Sequence, residues 1–148
     1  MSHPTDSPKA WKMRVLVVED NEKTASAIAV ILRAAGHEVE VATDGPAAVS
    51  AAETKFPDVV LLDIGLPGMD GWRVAEKLQA LLGEKRPLLV AVSAYGREED
   101  RLRSHQVGID LHLTKPVDPD ELHRMLARFH SVISPTTDLS STSIDMPL

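Results

Sequence analysis

Five runs of apolar residues recur along the chain, and each is followed by a segment with helical periodicity. The runs begin near residues 14, 38, 58, 88 and 110. Residues 59–62 form a continuous block of branched side chains, which is typical of a strand buried on both faces. Strands that alternate with helices over short loops favour right-handed crossovers and a parallel sheet. The predicted fold is therefore α/β, a doubly wound five-stranded parallel sheet with helices on both faces.

Two segments depart from this regular pattern. Residues 38–42 alternate polar and apolar side chains, which predicts an edge strand with one exposed face. Residues 97–106 are nearly all charged or polar, and Leu102 and Val107 are the few apolar anchors near them. We expect a helix here that packs thinly and is among the more mobile parts of the fold.

Helix ends are indicated by short polar residues and glycines. Asp44 or Thr43 is placed to cap the second helix, and Asp70 is placed to cap the third. Gly36 and Gly83 stand where helix C-termini are expected. The final helix, from about residue 118, has Leu122, Met125, Leu126 and Phe129 at amphipathic spacing.

The length of 148 residues suits a single domain. Residues 1–12 are rich in Ser, Pro and charge and predict a flexible arm, residues 13–132 form the predicted domain, and residues 133–148 predict a disordered tail. Beyond Ser131 we expect no room for a DNA-binding or enzymatic output domain.

Composition excludes several classes of function. The formal net charge of -6 argues against a protein that coats nucleic-acid phosphates. The absence of cysteine excludes disulfides, thiolate catalysis and Cys-ligated zinc. No apolar stretch is long enough to cross a membrane, and the first residues lack the pattern of a signal peptide. These features predict a soluble, cytoplasmic protein.

Polar side chains follow four of the predicted strands at their carboxyl ends. They are Glu19 and Asp20, then Asp63, Ser93 and Lys115. The carboxyl ends of parallel strands meet at one edge of the sheet, where ligands bind. Clustered carboxylates repel one another unless a cation lies among them, and hard oxygen ligands favour Mg²⁺. A lysine and a hydroxyl at the same edge suit the oxygens of a phosphoryl group, for which Asp63 is the candidate nucleophile.

From about Arg14 to Ser131 the chain resembles the receiver domains of response regulators in two-component signalling, in particular the single-domain chemotaxis regulators. Five segments agree in type, order and spacing: Val-Val-Glu19-Asp20-Asn, Ala-Thr-Asp-Gly45, Leu-Leu-Asp63-Ile-Gly-Leu-Pro67-Gly-Met-Asp-Gly71, Val-Ser93-Ala and Leu-Thr-Lys115-Pro116. The resemblance implies a flavodoxin-like sheet with strand order 2-1-3-4-5.

The resemblance also implies roles for the residues at the sheet edge. Asp63 would be the phosphoacceptor, and Asp20, Asp63 and the backbone carbonyl of Gly65 would hold Mg²⁺, with Glu19 acting through water. After transfer, Ser93 would bond a phosphoryl oxygen. Lys115 would pair with the phosphoryl group, and its peptide bond to the following proline would be cis, as in the family.

One position departs from the family pattern. Three residues before the lysine the family usually places Tyr or Phe, whose ring turns inward when the hydroxyl residue moves toward the phosphate; here the residue is His112. We therefore expect a switch through Ser93 and His112 that is weaker or sensitive to pH, because a free imidazole titrates near ~6.5.

The function that follows is a phosphorylation-dependent response regulator rather than a turnover enzyme. Its phosphodonor would be a sensor histidine kinase or a histidine phosphotransfer domain, and its output would be contact with a downstream protein or onward phosphotransfer. A receiver-like scaffold that works without phosphorylation is one alternative. A phosphatase with an Asp nucleophile is another, but it ordinarily needs a second Asp where this chain has Gly65.

The remaining histidines carry no predicted function. His37, His105, His123 and His130 lie at predicted helix ends or on polar faces. We interpret all four as surface residues.

Overall fold

The computed structural model describes residues 11–66, 68, 70–94 and 98–133. These residues divide after Val117 into two compact units. Five strands and four helices make up the first unit, and the second contains one helix. The strands are β1 (Arg14–Val18), β2 (Glu38–Ala42), β3 (Val59–Asp63), β4 (Leu88–Ser93) and β5 (Leu111–Thr114). The helices are α1 (Glu22–Ala34), α2 (Gly45–Lys55), α3 (Gly71–Leu82), α4 (Glu98–Gln106) and α5 (Pro119–Ile133), with a short 3₁₀ turn at Gly83–Lys85.

The five strands form one parallel sheet in the order β2-β1-β3-β4-β5. This confirms the predicted fold class and the predicted strand order, and it places β2 at an edge. The central strand β3 is buried along its whole length. In register, Val18 pairs with Leu62, and Asp63 pairs with Val92. The carboxyl ends of β1, β3 and β4 therefore meet at one edge, where the polar residues follow.

Alternate residues of the central strands face opposite sides of the sheet, and both sides are buried. On one side a continuous apolar cluster joins the strands to α2 and α3. Its members include Leu16, Val60, Leu62, Leu89, Ala48, Ala52, Val74 and Leu78. The opposite side carries buried residues of the same strands, namely Val15, Val17, Leu61, Val90 and Val92. Helix α1 contacts β1 and β2 and buries its own apolar stripe.

Side-chain caps begin three helices directly beside the site edge. Asn21, Asp44 and Asp70 accept hydrogen bonds from the backbone N–H groups of Thr24, Ala47 and Arg73. Such caps satisfy amides that have no partner within the helix. The predicted caps at Asp44 and Asp70 are confirmed.

The buried residue of helix α4 is not the one that the sequence predicted. Leu102, the predicted apolar anchor, is 59% exposed. Among residues 98–106 the buried side chain is instead that of Ser104. Arg97, where the helix was predicted to begin, lies outside the described residues. The helix is therefore attached through a polar group.

His37 is buried, so the interpretation of this residue as a surface histidine is wrong. It is 5% exposed, and its Nδ1 accepts a hydrogen bond of 3.1 Å from the backbone N–H of Met13. The ring of Trp11 lies with its centroid 5.0 Å from that of His37. Most of the predicted arm, residues 1–10, lies outside the described residues, as does the tail from residue 134 onward.

The second unit contains α5, which begins with Pro119 at a position where the missing N–H costs nothing. The carboxylate of Asp118 accepts a hydrogen bond of 3.0 Å from the N–H of Asp120. This confirms a helix that starts just after residue 118. Within residues 11–66, 70–94 and 98–133, no helix is both long enough and apolar enough to span a membrane.

Replacing Gly71 with alanine is expected to destabilise the domain by about 1–3 kcal/mol, which is the usual cost of overpacking. A Cβ at this position would lie 2.5 Å from the Cα of Ile64 and 2.6 Å from the carbonyl oxygen of Asp63, and backbone atoms cannot turn aside. Urea unfolding measures the loss. Gly65→Ala is the control, since its Cβ would meet only the Asp63 carboxylate at 3.6 Å. Equal stability of the two variants would contradict the prediction.

Candidate metal and phosphoryl site

Three carboxylates lie together at the carboxyl edge of the sheet. Glu19 and Asp20 follow β1, and Asp63 ends β3. One carboxylate oxygen from each lies within 4.8 Å of the others. Glu19 and Asp63 are buried, at 2% and 7% exposure, whereas Asp20 is exposed. The cluster is therefore open to solvent on the side of Asp20.

Backbone hydrogen bonds hold two of these carboxylates in place. The N–H of Asn21 donates to Glu19 Oε2 at 3.1 Å, and the N–H of Gly65 donates to Asp63 Oδ1 at 2.9 Å. The backbone of Glu19 is itself tied to β2, because its N–H donates to the carbonyl of Ala42 at 3.0 Å. Both the backbone and the carboxylate of Glu19 are therefore held in place by hydrogen bonds within the protein.

Lys115 provides the positive charge within the cluster. Its Nζ lies 2.8 Å from Glu19 Oε1 and 3.5 Å from Asp63 Oδ2. Burial alone would lower the pKa of Lys115, but the hydrogen bond to Glu19 and the charges of Asp63 and Glu19 outweigh it and raise the pKa. Lys115 is therefore held as an ammonium. Its backbone N–H donates to the carbonyl of Ser93 at 2.8 Å, and its peptide bond to Pro116 is cis, as the resemblance implied.

The pKa of Glu19 is raised within this cluster. Burial raises the pKa of Glu19, and the negative charge of Asp63 raises it further. The hydrogen bonds from Lys115 and from the Asn21 backbone act in the opposite direction without cancelling the shift. A second cation would favour the charged form of Glu19, since it would offset the repulsion between the carboxylates.

Ser93 and Gly65 lie at the same edge of the sheet. Ser93 is the last residue of β4, is 6% exposed, and follows the residue that pairs with Asp63. Gly65 begins the loop after β3 and contacts Asp63 through its backbone N–H. The structure therefore gathers every residue predicted for the site at this edge except His112. The roles assigned to them, including a metal contact from the Gly65 carbonyl, remain predictions.

His112 lies on β5, three residues before Lys115, and contacts Ser104 of α4. It pairs in register with Ala91, and therefore projects from the same side of the sheet as Ser93, one pleat away. Its Nε2 lies 3.3 Å from Ser104 Oγ. Burial lowers the pKa of His112, and the positive charge of Arg101 lowers it further, against a smaller opposing effect of Asp100.

Sequence reasoning missed Ser104, which contacts His112, and Trp72, which contacts Ser104. Trp72, near the start of α3, donates from its indole Nε1 to Ser104 Oγ at 2.9 Å. The guanidinium of Arg103 lies 4.2 Å from the centre of the Trp72 ring. The proximity of residues 72 and 104 comes from the packing of two helices, and no spacing along the chain indicates it.

The donor set suits a hard divalent cation. The cluster offers oxygen atoms alone, from three carboxylates, and one of the three is exposed for access. Mg²⁺ prefers such ligands, and typically takes one or two carboxylates while keeping several waters. The residues present therefore fit Mg²⁺.

The family model of the response regulator receiver domain matches residues 15–127. The chain belongs to this family. It is a receiver domain of two-component response regulators, a class of phosphoacceptor switches that work with histidine kinases, and the resemblance seen in the sequence is confirmed.

Similar proteins include the sensory transduction protein RegX3 of Mycobacterium tuberculosis, which is 39% identical over 119 residues, or 80% of this chain. The match covers 50% of RegX3, so this receiver domain spans about half the length of that relative. Response regulator PleD of Caulobacter vibrioides is 37% identical over 123 residues, which cover 81% of this chain and 27% of PleD.

A solved structure links the fold to a metal site. The receiver domain of sensor histidine kinase PA1611 from Pseudomonas aeruginosa PAO1 has a magnesium ion coordinated in its active-site cleft. It superposes on this chain with a TM-score of 0.73 at 33% identity, covering 80% of this chain and 97% of that one.

Replacing Lys115 with methionine is expected to destabilise the metal-free protein by about 1–3 kcal/mol at neutral pH, because a buried carboxylate loses its cation. Urea unfolding in the presence of EDTA measures the loss. Lys12→Met is the matched control. The ion pair of Lys12 with Glu38 has both side chains more than half exposed, and such pairs contribute about 0–1 kcal/mol. Similar losses in the two variants would show that Lys115 does not stabilise the cluster.

Proposed function

We propose that this receiver domain accepts a phosphoryl group from a phosphohistidine onto Asp63, with Mg²⁺ bound, and signals by protein contact or by onward phosphotransfer. One observation carries the proposal. The Asp63 carboxylate lies at the carboxyl edge of the sheet, within reach of two further carboxylates and of the Lys115 ammonium.

The donor that fits this chemistry is a sensor histidine kinase or a histidine phosphotransfer domain. In the transfer, a carboxylate oxygen of Asp63 attacks the phosphorus of the phosphohistidine. A P–O bond forms, the P–N bond breaks, and the electron pair of that bond leaves with the imidazole, which then takes up a proton. The product is an acyl phosphate on Asp63.

Residues of the chain prepare this step before the donor arrives. Gly65 fixes the Asp63 carboxylate through its backbone N–H, which sets the angle of attack. Lys115 lies 3.5 Å from Asp63 Oδ2 and can move its charge toward the incoming phosphoryl oxygens. Ser93, one residue beyond the register partner of Asp63, supplies the hydroxyl for another phosphoryl oxygen.

Glu19, Asp20, Asp63 and the Gly65 carbonyl are the groups proposed to hold Mg²⁺, with Glu19 acting through water. When bound, Mg²⁺ supplies charge neutralisation for the phosphoryl oxygens. Lys115 contacts Glu19 directly in the metal-free state. Glu19 therefore has a cation beside it whether or not the metal is present.

Two other functions use the same residues differently. A phosphatase would turn over continuously, but the position two residues after Asp63 is Gly65, which has no acid/base side chain. A phosphorylation-independent scaffold would not need the ion pairs around Asp63. Neither accounts for the cluster as well as the phosphoacceptor does.

Incubation with acetyl phosphate or phosphoramidate and Mg²⁺ is expected to add one phosphoryl group to the protein. Intact-mass spectrometry measures the adduct. Asp63→Asn should abolish it, because an amide is not a nucleophile toward phosphorus. The adduct should be lost on treatment with hydroxylamine, as expected of an acyl phosphate.

Asp70→Asn is the matched control for this experiment. It caps α3 at the end of the segment that follows Asp63, and asparagine caps a helix as well as aspartate does. It should retain the adduct. An adduct that persists in Asp63→Asn would contradict the proposed acceptor. Absence of any adduct would favour the scaffold, and steady release of phosphate from a phosphomonoester would favour the phosphatase.

Mg²⁺ is expected to stabilise the protein against urea, by an amount that rises with the logarithm of its concentration and reaches about 2.7 kcal/mol at a hundredfold excess over Kd. Asp20→Asn should remove most of this gain, since Asp20 is the exposed carboxylate of the cluster. Glu40→Gln, an exposed carboxylate on β2, should leave it unchanged. An equal gain in wild type and Asp20→Asn would exclude Asp20 as a ligand.

A further inference from the structure

Within residues 98–106, helix α4 buries a polar side chain rather than an apolar one, and Val107, directly after the helix, packs against the apolar core. Of residues 98–106, the buried one is Ser104, and the helix turns Leu102 outward at 59% exposure. A helix without a buried apolar stripe has little hydrophobic free energy holding it in place. The hydrogen bonds of Ser104 therefore matter more here than one serine normally would.

Ser104 lies between two partners from different elements. Its Oγ accepts a hydrogen bond of 2.9 Å from Trp72 Nε1 of α3, and it lies 3.3 Å from His112 Nε2 of β5. We call these three residues, Trp72, Ser104 and His112, the α4 latch. Arg103 adds to it from the same helix, with its guanidinium 4.2 Å from the centre of the Trp72 ring and 3.9 Å from the Asp70 carboxylate.

The C-terminal end of α4 has a separate attachment. The side-chain amide of Gln79 in α3 donates a hydrogen bond to the carbonyl of Val107. This contact involves no titratable group. Loss of the latch would therefore free the middle of α4 while its C-terminal end stays attached.

The second ring nitrogen of His112 makes the latch sensitive to protonation. Nδ1 is buried and has no hydrogen-bond partner among the described residues. A neutral imidazole tolerates this, since one of its nitrogens carries no hydrogen. An imidazolium carries hydrogen on both nitrogens, so protonation would bury an N–H group without an acceptor, together with a charge.

The charged groups around His112 do not compensate for that cost. Arg101 and Asp100 face it from α4, and burial and Arg101 together lower the pKa of His112 despite Asp100. His105 and Asp110 line the same cavity of about 330 Å³ beside His112. The Asp110 carboxylate already forms a two-pronged ion pair with Arg86 and accepts from the backbone N–H of Leu89.

We propose that the α4 latch is a pH-sensitive device: it holds α4 on the domain while His112 is neutral, and it releases α4 when His112 takes up a proton. The docked imidazole binds a proton less readily than a free one, whose pKa is ~6.5. Docking is thus complete above that pH and weakens as the pH falls below it. The device does not depend on phosphorylation of Asp63.

Trp72 reports the state of the latch through its fluorescence. In the full chain with Trp11→Phe, which leaves Trp72 as the single tryptophan, the emission should shift to longer wavelength as the pH falls from ~6.5, the pKa of a free imidazole, toward about pH 5. Ser104→Ala should show the shifted emission across this range. NMR of the imidazole Cε1–H should give His112 a pKa below ~6.5 that returns toward this value in Ser104→Ala.

Two variants decide whether His112 is the group that titrates. His112→Gln should abolish the acid-induced shift, and His105→Gln, which changes an exposed histidine of α4, should retain it. A shift that survives in His112→Gln, or no shift in the parent protein, would overturn the proposal. A shift that coincides with loss of the far-ultraviolet circular dichroism signal would reflect unfolding and would also overturn it.

Asp63→Asn separates this device from the proposed phosphotransfer. It should retain the pH response, because among the described residues the contacts of the Asp63 side chain are with Gly65 and Lys115 and not with the latch. Failure of the mass-spectrometric test at Asp63 would leave the latch standing, and failure of the fluorescence test would leave the phosphoacceptor standing.

Discussion

The ammonium of Lys115 is the interaction on which the site depends. Two buried carboxylates, Glu19 and Asp63, lie close enough to repel each other, and burial together with the charge of Asp63 raises the pKa of Glu19. Lys115 contacts both, at 2.8 and 3.5 Å. Because Lys115 lies among these two carboxylates and the exposed Asp20, the negative charge of the cluster is only partly balanced.

The sequence predicted most of the fold because hydrophobic burial decides it. The continuous apolar runs at β1, β3 and β4 mark strands covered on both sides, and the alternation in β2 marks an edge. The gathering of Asp63, Glu19 and Lys115 was predicted for a related reason. In a parallel sheet, residues that follow strands in sequence become neighbours in space.

The contacts that sequence could not predict are polar and buried. The burial of Ser104 and His37 goes against their residue types, and it depends on partners 32 and 24 residues away, Trp72 and Met13. Pattern analysis assigns buried positions from apolar spacing, so it selected Leu102 for α4 and missed the serine two residues later. Hydrogen bonds between elements become visible only when the helices are in place.

The close approach of Gly71 to β3 has a mechanical consequence. The first turn of α3 touches the main chain of Asp63 and Ile64 with no room for even a methyl group between them. The next residue in the chain is Trp72, whose indole reaches α4. The packing of Gly71 against β3 and the hydrogen bond from Trp72 to Ser104 therefore connect β3 to α4 through two consecutive residues.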